Sequence, residues 1–246
     1  MSHVFRDTDR IRYFDAEASG RARVLTMCRM LQQAAHGQMH GMGLSISQVR
    51  ELNRMWVLTR FAVNVFAFPQ VGDEVSVETW ATDRTGGVRA YRDFRMRDAE
   101  GQILAECASL WLLLDLKSRR LVRLPDAVLQ IREPERVSAD TVDSTTLDPP
   151  EAVTGVDEFR VRWSDLDENG HANNTRYIEW LLETVPDAVR AGGGLSSLDI
   201  QFVSEARPGE TILAVSDEAN GAYRHRLTAG DGRVLGIART VWRQEG

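Results

Sequence analysis

Within five residues the chain places an acid, an amide and an imidazole: Asp167, Asn169 and His171. Gly170 between them allows a tight turn. Asn173 and Asn174, which follow, are residue types that cap helices. The spacing therefore delivers three polar side chains to the start of a helix, where free backbone N–H groups and the positive end of the helix dipole gather. Those are the parts that stabilise an oxyanion forming on a carbonyl. Each residue also has a plainer use. Asp167 could be an Asx-type cap, Asn169 a turn residue, and His171, one of five histidines, a surface imidazole.

An earlier segment carries the same frame without the chemistry. Arg12-Tyr-Phe-Asp15-Ala-Glu17-Ala-Ser-Gly20-Arg21-Ala22 aligns without a gap on Arg162-Trp-Ser-Asp165-Leu-Asp167-Glu-Asn-Gly170-His171-Ala172, at an offset of 150 (162 − 12). Glu17 sits under Asp167, but Ser19 and Arg21 stand where the amide and imidazole would be. One live and one retired site would look like this. Each segment runs into a helical stripe, Val24, Cys28, Leu31 and Ala35 in the first and Ile178, Leu181, Leu182 and Val185 in the second.

Two further matches follow in the same order. Val71-Gly-Asp-Glu-Val75 aligns with Pro208-Gly-Glu-Thr-Ile212 at an offset of 137 (209 − 72). The stretch Glu100 to Trp111 aligns with Asp231 to Trp242 at 131 (242 − 111), each a turn dipeptide before a β-type run. The falling offset is what deletions in the second copy produce. Each copy reads as loop, helix and several antiparallel strands, which is α+β. A continuous sheet shared between the copies would cover edges that neither copy buries alone. The polar stretch Ser138 to Pro150, ending in two prolines, reads as a linker. The expected division is an N-terminal unit over 1–136, a linker over 137–155 and a C-terminal unit over 156–246.

Composition bounds the function class. The chain has 246 residues, 43% hydrophobic and 27% charged, with a formal net charge of −6. That is ordinary globular composition, and no basic stripe invites nucleic acid. Two widely spaced cysteines, Cys28 and Cys107, give neither a disulfide framework nor metal-ligand spacing, so a reducing compartment is expected. The charged N-terminus has no signal-like apolar stretch, and no window approaches the roughly 18 apolar residues of a membrane span. A cytoplasmic protein is expected. Neither a Gly-rich phosphate loop nor a metal cluster is apparent, so no cofactor and no metal are expected.

The segment from Asp167 to Asn174 is similar to the catalytic loop of the acyl-acyl carrier protein thioesterases, which carry Asp-x-Asn-x-His-x-Asn-Asn. The likeness covers nearly the whole chain. Trp56-Val-Leu-Thr-Arg60 resembles the family's entry into its first long strand. Ala108-Ser-Leu-Trp-Leu-Leu-Leu-Asp115, then Ser118-Arg-Arg-Leu121 and Leu124-Pro125, resemble its closing strand and basic turn.

The resemblance implies a tandem (double) hot-dog fold, with two long helices each packed on a shared antiparallel sheet. It implies a hydrolase that cleaves the thioester of fatty acyl-acyl carrier protein, releasing free fatty acid and terminating fatty acid synthesis. Glu205 takes the place of the family's completing acid, and Ala206 stands where some members carry cysteine, so a thiol there is excluded. One carboxylate, Glu205 or Asp167, then activates water or attacks directly, with His171 orienting or protonating and Asn169 facing the oxyanion. Glu205 could also be simply solvated before its turn. By the same resemblance the first copy holds the acyl chain, at Met27, Met30, Leu31, Ala34, Trp56 and Val57, for which core packing is the plainer reading. The leaving group would be the phosphopantetheine thiol of an acidic partner, acyl carrier protein. Lys117, Arg119, Arg120 and Arg123 form a candidate dock or a solvated hairpin turn. The alternative is an acyl-coenzyme A thioesterase of the same fold; a dehydratase and a non-catalytic acyl-binding module are further from the pattern. A monomer and a homodimer both fit a duplicated chain.

Overall fold

The computed structural model describes residues 3–136, 142 and 145–243. The chain divides into two compact units, Met1–Asp143 and Ser144–Gly246.

The N-terminal unit contains β1 (Phe5–Arg10), α1 (Val24–Gly41), α2 (Ile46–Glu51), β2 (Arg54–Val65), β3 (Glu74–Ala81), β4 (Arg89–Asp98), β5 (Ile103–Asp115) and α3 (Asp126–Gln130). Its strands are antiparallel in the order β1-β3-β4-β5-β2. The predicted stripe Val24, Cys28, Leu31 and Ala35 is buried, and α1 lies on β3 and β1. The approach to β1 is close at Gly37, where a Cβ would stand 2.9 Å from the Phe5 ring.

The C-terminal unit contains β6 (Gly155–Arg160), α4 (Asn174–Glu183), α5 (Asp187–Ala191), β7 (Leu195–Phe202), β8 (Thr211–Ala219), β9 (Ala222–Ala229) and β10 (Val234–Trp242). Its strand order, β7-β10-β9-β8-β6, repeats that of the first unit in reverse listing, and α4 lies on β9, β8 and β6. The repeat extends to the register. Phe159 faces Ile212 where Asp9 faces Val75, and Asp217 faces Arg224 where Trp80 faces Asp93. Tyr223 faces Thr240 where Arg92 faces Ser109. All three sequence matches are thus structural equivalences, and the class is α+β with a hot-dog arrangement in each unit.

The second helix departs from the expectation of two long ones. Helix α1 has 18 residues and α4 only 10. Pro186 is the reason: it lacks an N–H and disfavours helical backbone at Val185. Val185 is still buried, but beyond the end of α4. The expected linker 137–155 lies partly outside the described residues. Its final residue, Gly155, already belongs to β6 and packs so tightly that a Cβ would fall 2.2 Å from the Thr184 carbonyl oxygen. Among the described residues no helix is long and apolar enough to cross a membrane.

Candidate active site

The loop that leads into α4 is built on a buried carboxylate. After β6 the chain makes a single 3-10 turn, Trp163–Asp165. Asp165 accepts from the Arg162 amide at 2.8 Å and lies 3.3 Å from Arg176 Nε. Burial alone would raise this carboxyl. The hydrogen bonds from Arg162 and the charges of Arg162 and Arg176 outweigh it and hold Asp165 below the usual carboxylate range. The Asp165 carbonyl also accepts from the Asn173 amide at 2.8 Å, which ties the loop's entry to its exit.

Inside that frame the turn closes tightly. The Asp167 amide donates to the His171 carbonyl at 2.9 Å, and the Gly170 amide to the Asp167 carbonyl at 3.0 Å. Gly170 has φ of 78°, where a side chain would be strained. Asn173 caps α4 by accepting from the Thr175 amide at 2.9 Å and the Thr175 hydroxyl at 2.7 Å.

The four predicted polar residues come together in two pairs. Asp167 Oδ1 accepts from the Asn169 amide at 2.8 Å, an Asx-turn contact, and Asp167 Oδ2 lies 3.5 Å from Asn169 Nδ2. His171 Nε2 lies 3.4 Å from Glu205 Oε2, with about 28% and 33% of the two side chains exposed. So the plainer use of Asp167 is real, and the imidazole faces the carboxylate from the strand end.

One expectation changes. The sequence points to free N–H groups at the start of α4, but Thr175 and Arg176 both donate to Asn173. The amides of Asp167, Asn169, Gly170, Ala172 and Asn173 also have acceptors within the unit. Most amides at this helix start are thus already engaged, and the polar side chains Asn169 and His171 stand beside them.

Two residues that fix Glu205 carry no role in the sequence reading. Tyr177 accepts from the Ala206 amide at 2.6 Å and donates to the Ser204 carbonyl at 3.0 Å. Burial pushes its phenol well above the usual range, so it stays protonated. Arg233 Nη1 donates to the Glu205 carbonyl at 2.6 Å, and Nη2 to Glu210 at 2.7 Å. No motif marks either, because each acts through main-chain atoms that any residue supplies.

The first copy repeats the backbone. Glu17 donates to the Arg21 carbonyl at 2.8 Å, Gly20 to the Glu17 carbonyl at 2.9 Å, and Arg23 to the Asp15 carbonyl at 3.0 Å. Its side chains do something else: Arg21 pairs with Glu17 at 2.9 Å and lies over the Phe68 ring at 4.8 Å. The Ala22 amide donates to the Pro69 carbonyl at 2.8 Å as the Ala172 amide does to that of Ala206 at 3.0 Å. Phe68 therefore occupies the place of Glu205.

Of the apolar candidates in the first unit, Met27, Leu31 and Ala34 lie on the buried face of α1 and Met30 is half-buried. Trp56 and Val57 are half-buried on β2, and Trp56 donates to the Leu44 carbonyl at 3.0 Å. Lys117, Arg119, Arg120 and Arg123 are exposed around the turn after β5, where Asp115 accepts from Lys117 and Ser118.

Family comparison agrees with both halves. The model of the acyl-ACP thioesterase N-terminal domain matches residues 2–131, and that of the C-terminal domain matches 150–244. The chain is 32% identical to the chloroplastic palmitoyl-acyl carrier protein thioesterase of Cuphea hookeriana, over 98% of this chain and 62% of that protein. It is 30% identical to the chloroplastic dodecanoyl-[acyl-carrier-protein] hydrolase of Umbellularia californica, over 98% of this chain and 68% of that one. The solved structure of the 12:0-ACP thioesterase from Umbellularia californica matches with a TM-score of 0.88 at 27% identity, covering 100% of this chain and 99% of that one. The chain spans 62–63% of the length of the curated Cuphea relatives it matches. With both domains matched in order on a fold written twice, the chain belongs to the acyl-ACP thioesterase family.

Proposed function

We propose that the chain hydrolyses the thioester of fatty acyl-acyl carrier protein and releases free fatty acid. The observation that carries this reading is the His171–Glu205 contact at 3.4 Å, with His171 on the same short loop as the Asp167–Asn169 pair that leads into α4. Glu205 takes a proton from water, and the resulting hydroxide adds to the thioester carbonyl carbon. Asn169 donates to the oxyanion that forms. As the tetrahedral species collapses, the carbon–sulfur bond breaks, and the proton passes through His171 to the leaving thiolate. Asp167 holds Asn169 in place, because its carboxylate is already engaged in the Asx turn.

The N-terminal unit takes the acyl chain in this scheme, along Met27, Met30, Leu31, Ala34, Trp56 and Val57. Support comes from the apolar face of α1 and from the flexibility of methionine among variable chains. Lys117, Arg119, Arg120 and Arg123 dock the acidic carrier, supported by their exposure on a chain of net charge −6. We place the protein in a cytoplasmic, reducing compartment, supported by its two buried free cysteines.

The test is thiol release from acyl carrier protein and from coenzyme A loaded with the same acyl chain. Glu205→Gln and His171→Ala should each lose on the order of 10²–10⁴-fold in kcat, and Asp167→Asn most of its turnover, all with the protein folded. Near-wild-type rates in Glu205→Gln would end the mechanism. Equal or better turnover of the coenzyme A ester would move the assignment to an acyl-coenzyme A thioesterase.

A further inference from the structure

The two copies differ at one more pair of positions, and that difference tracks the carboxylate. At the offset of 150 (177 − 27) Tyr177 stands in the place of Met27, and at 137 (206 − 69) Ala206 stands in that of Pro69. In the C-terminal unit the Tyr177 hydroxyl bonds the Ala206 amide at 2.6 Å and the Ser204 carbonyl at 3.0 Å. The main chain is thus fastened to α4 on both sides of Glu205. In the N-terminal unit neither partner exists: methionine has no hydroxyl, and Pro69 has no N–H to give. The residue between them is Phe68, not an acid. Tyr177 itself is 3% exposed, and its ring is held by Trp180 and Phe202 with centroids 5.7 and 5.5 Å away.

We propose that Tyr177 is a positioning residue for thioester hydrolysis, fixing the main chain around Glu205 so that its carboxylate faces His171. The inference rests on Glu205 being the base. It adds that a phenol on the helix sets the direction of a carboxylate it does not touch. Both hydroxyl bonds restrict the backbone at Glu205, and a small misplacement of a reacting group is costly in rate. The copy that lost the acid lost both halves of the fastening.

The experiment compares Tyr177→Phe, Ala206→Pro, Ser216→Ala, Glu205→Gln and the double variant Tyr177→Phe/Glu205→Gln in the full chain, on acyl carrier protein carrying one acyl length. Tyr177→Phe should lower kcat by roughly 10- to 100-fold with KM unchanged. Ala206→Pro removes the same donor, at a place where the other copy already takes proline, and its ring also biases the Glu205 backbone toward extended conformations; it should lose kcat in the same direction. Ser216→Ala deletes a buried hydroxyl bond to the Thr184 carbonyl elsewhere in the unit; it should lower Tm comparably and leave kcat alone. The double variant should be no slower than Glu205→Gln, because positioning an absent base has no effect. Wild-type kcat in both Tyr177→Phe and Ala206→Pro, with Glu205→Gln inactive, overturns the inference while leaving the mechanism standing. Should Tyr177→Phe not fold, wild-type kcat in Ala206→Pro alone overturns the inference. An active Glu205→Gln overturns both.

Discussion

His225 sits wholly buried on β9, where the first copy has Phe94, and it should make this protein acid-sensitive. Its Nε2 lies 2.8 Å from Thr240 Oγ1 and its Nδ1 3.3 Å from Thr184 Oγ1. The ends of this chain of hydrogen bonds fix its direction. The Trp242 indole, a donor only, gives to Thr240 Oγ1 at 3.0 Å, and the Thr184 hydroxyl gives to the Leu181 carbonyl at 2.7 Å. Thr184 must therefore accept from Nδ1–H, and Nε2 must accept from Thr240. A second proton on Nε2 would make the Thr240 hydroxyl turn and accept, and its own proton would then need another acceptor in buried surroundings. Burial pushes the imidazole down to about 4, against a weaker upward pull from Asp217.

The sign follows from linkage. The unfolded chain titrates near the ordinary 6.5, so between there and about 4 it binds more protons than the folded chain. Stability from this site is complete above about pH 6.5, falls as pH drops toward 4, and is flat below. At 1.36 kcal/mol per pH unit over that gap the loss is about 3 kcal/mol. Urea unfolding at a series of pH values, wild type against His225→Gln, isolates it, since glutamine can both donate and accept in the same chain. Wild type should lose about 3 kcal/mol more than the variant between pH 7 and pH 4. Parallel pH curves, or a folded-state His225 resonance titrating near 6.5, would refute the argument. Thr184 is also the C-cap of α4. That cap lies at the end of α4 opposite the loop that carries His171.

Two further outcomes are expected. Asp165→Asn keeps the shape of the buried side chain but removes the charge that holds Arg162 and Arg176; it should cost about 2 kcal/mol, lowering Tm by roughly 4–8 °C, and slow turnover because the loop's entry and exit share that residue. A change in Tm below about 1 °C would mean the carboxylate does not frame the loop. Reversing charge at Lys117, Arg119, Arg120 and Arg123 should cut kcat/KM for acyl carrier protein several-fold and flatten its fall with added salt, while the coenzyme A ester is spared. A loss shared equally by both carriers would place the effect elsewhere than docking.

What the residues announced and what they hid divides along a physical line. The helix stripes, the strand starts after Gly72 and Gly209, and the turn at Gly170 are local consequences of periodicity and glycine backbone freedom, so they are visible in the chain itself. The apolar period alone makes α4 look longer than it is, because Val185 continues it beyond Glu183, where the approach of Pro186 ends the helix. Asp167, Asn169 and His171 announce themselves by type and spacing, whereas Glu205 lies 34 residues on (205 − 171) and needs the fold to bring it to His171. Tyr177 and Arg233 stayed silent because they serve through backbone atoms. The helix start looked rich in free donors because a capping asparagine reads the same whether or not it occupies them.

The first copy bears on what a loss of activity in the His171 and Glu205 variants means. Its loop keeps the same turn and bridging hydrogen bonds as the working loop, yet its side chains are Glu17, Ser19, Arg21 and Phe68. The backbone of this loop therefore does not depend on an imidazole or a facing carboxylate. What both copies do retain is an aspartate carboxylate accepting from the amide three residues before it, Asp15 from Arg12 and Asp165 from Arg162, at 3.3 and 2.8 Å, although the Arg12 guanidinium itself pairs with Asp9. The scaffold is in that contact and in the glycine turn, and the differing side chains are laid over it. Loss of activity in His171→Ala or Glu205→Gln is thus to be charged to the reaction, and loss of folding is to be expected from Asp165.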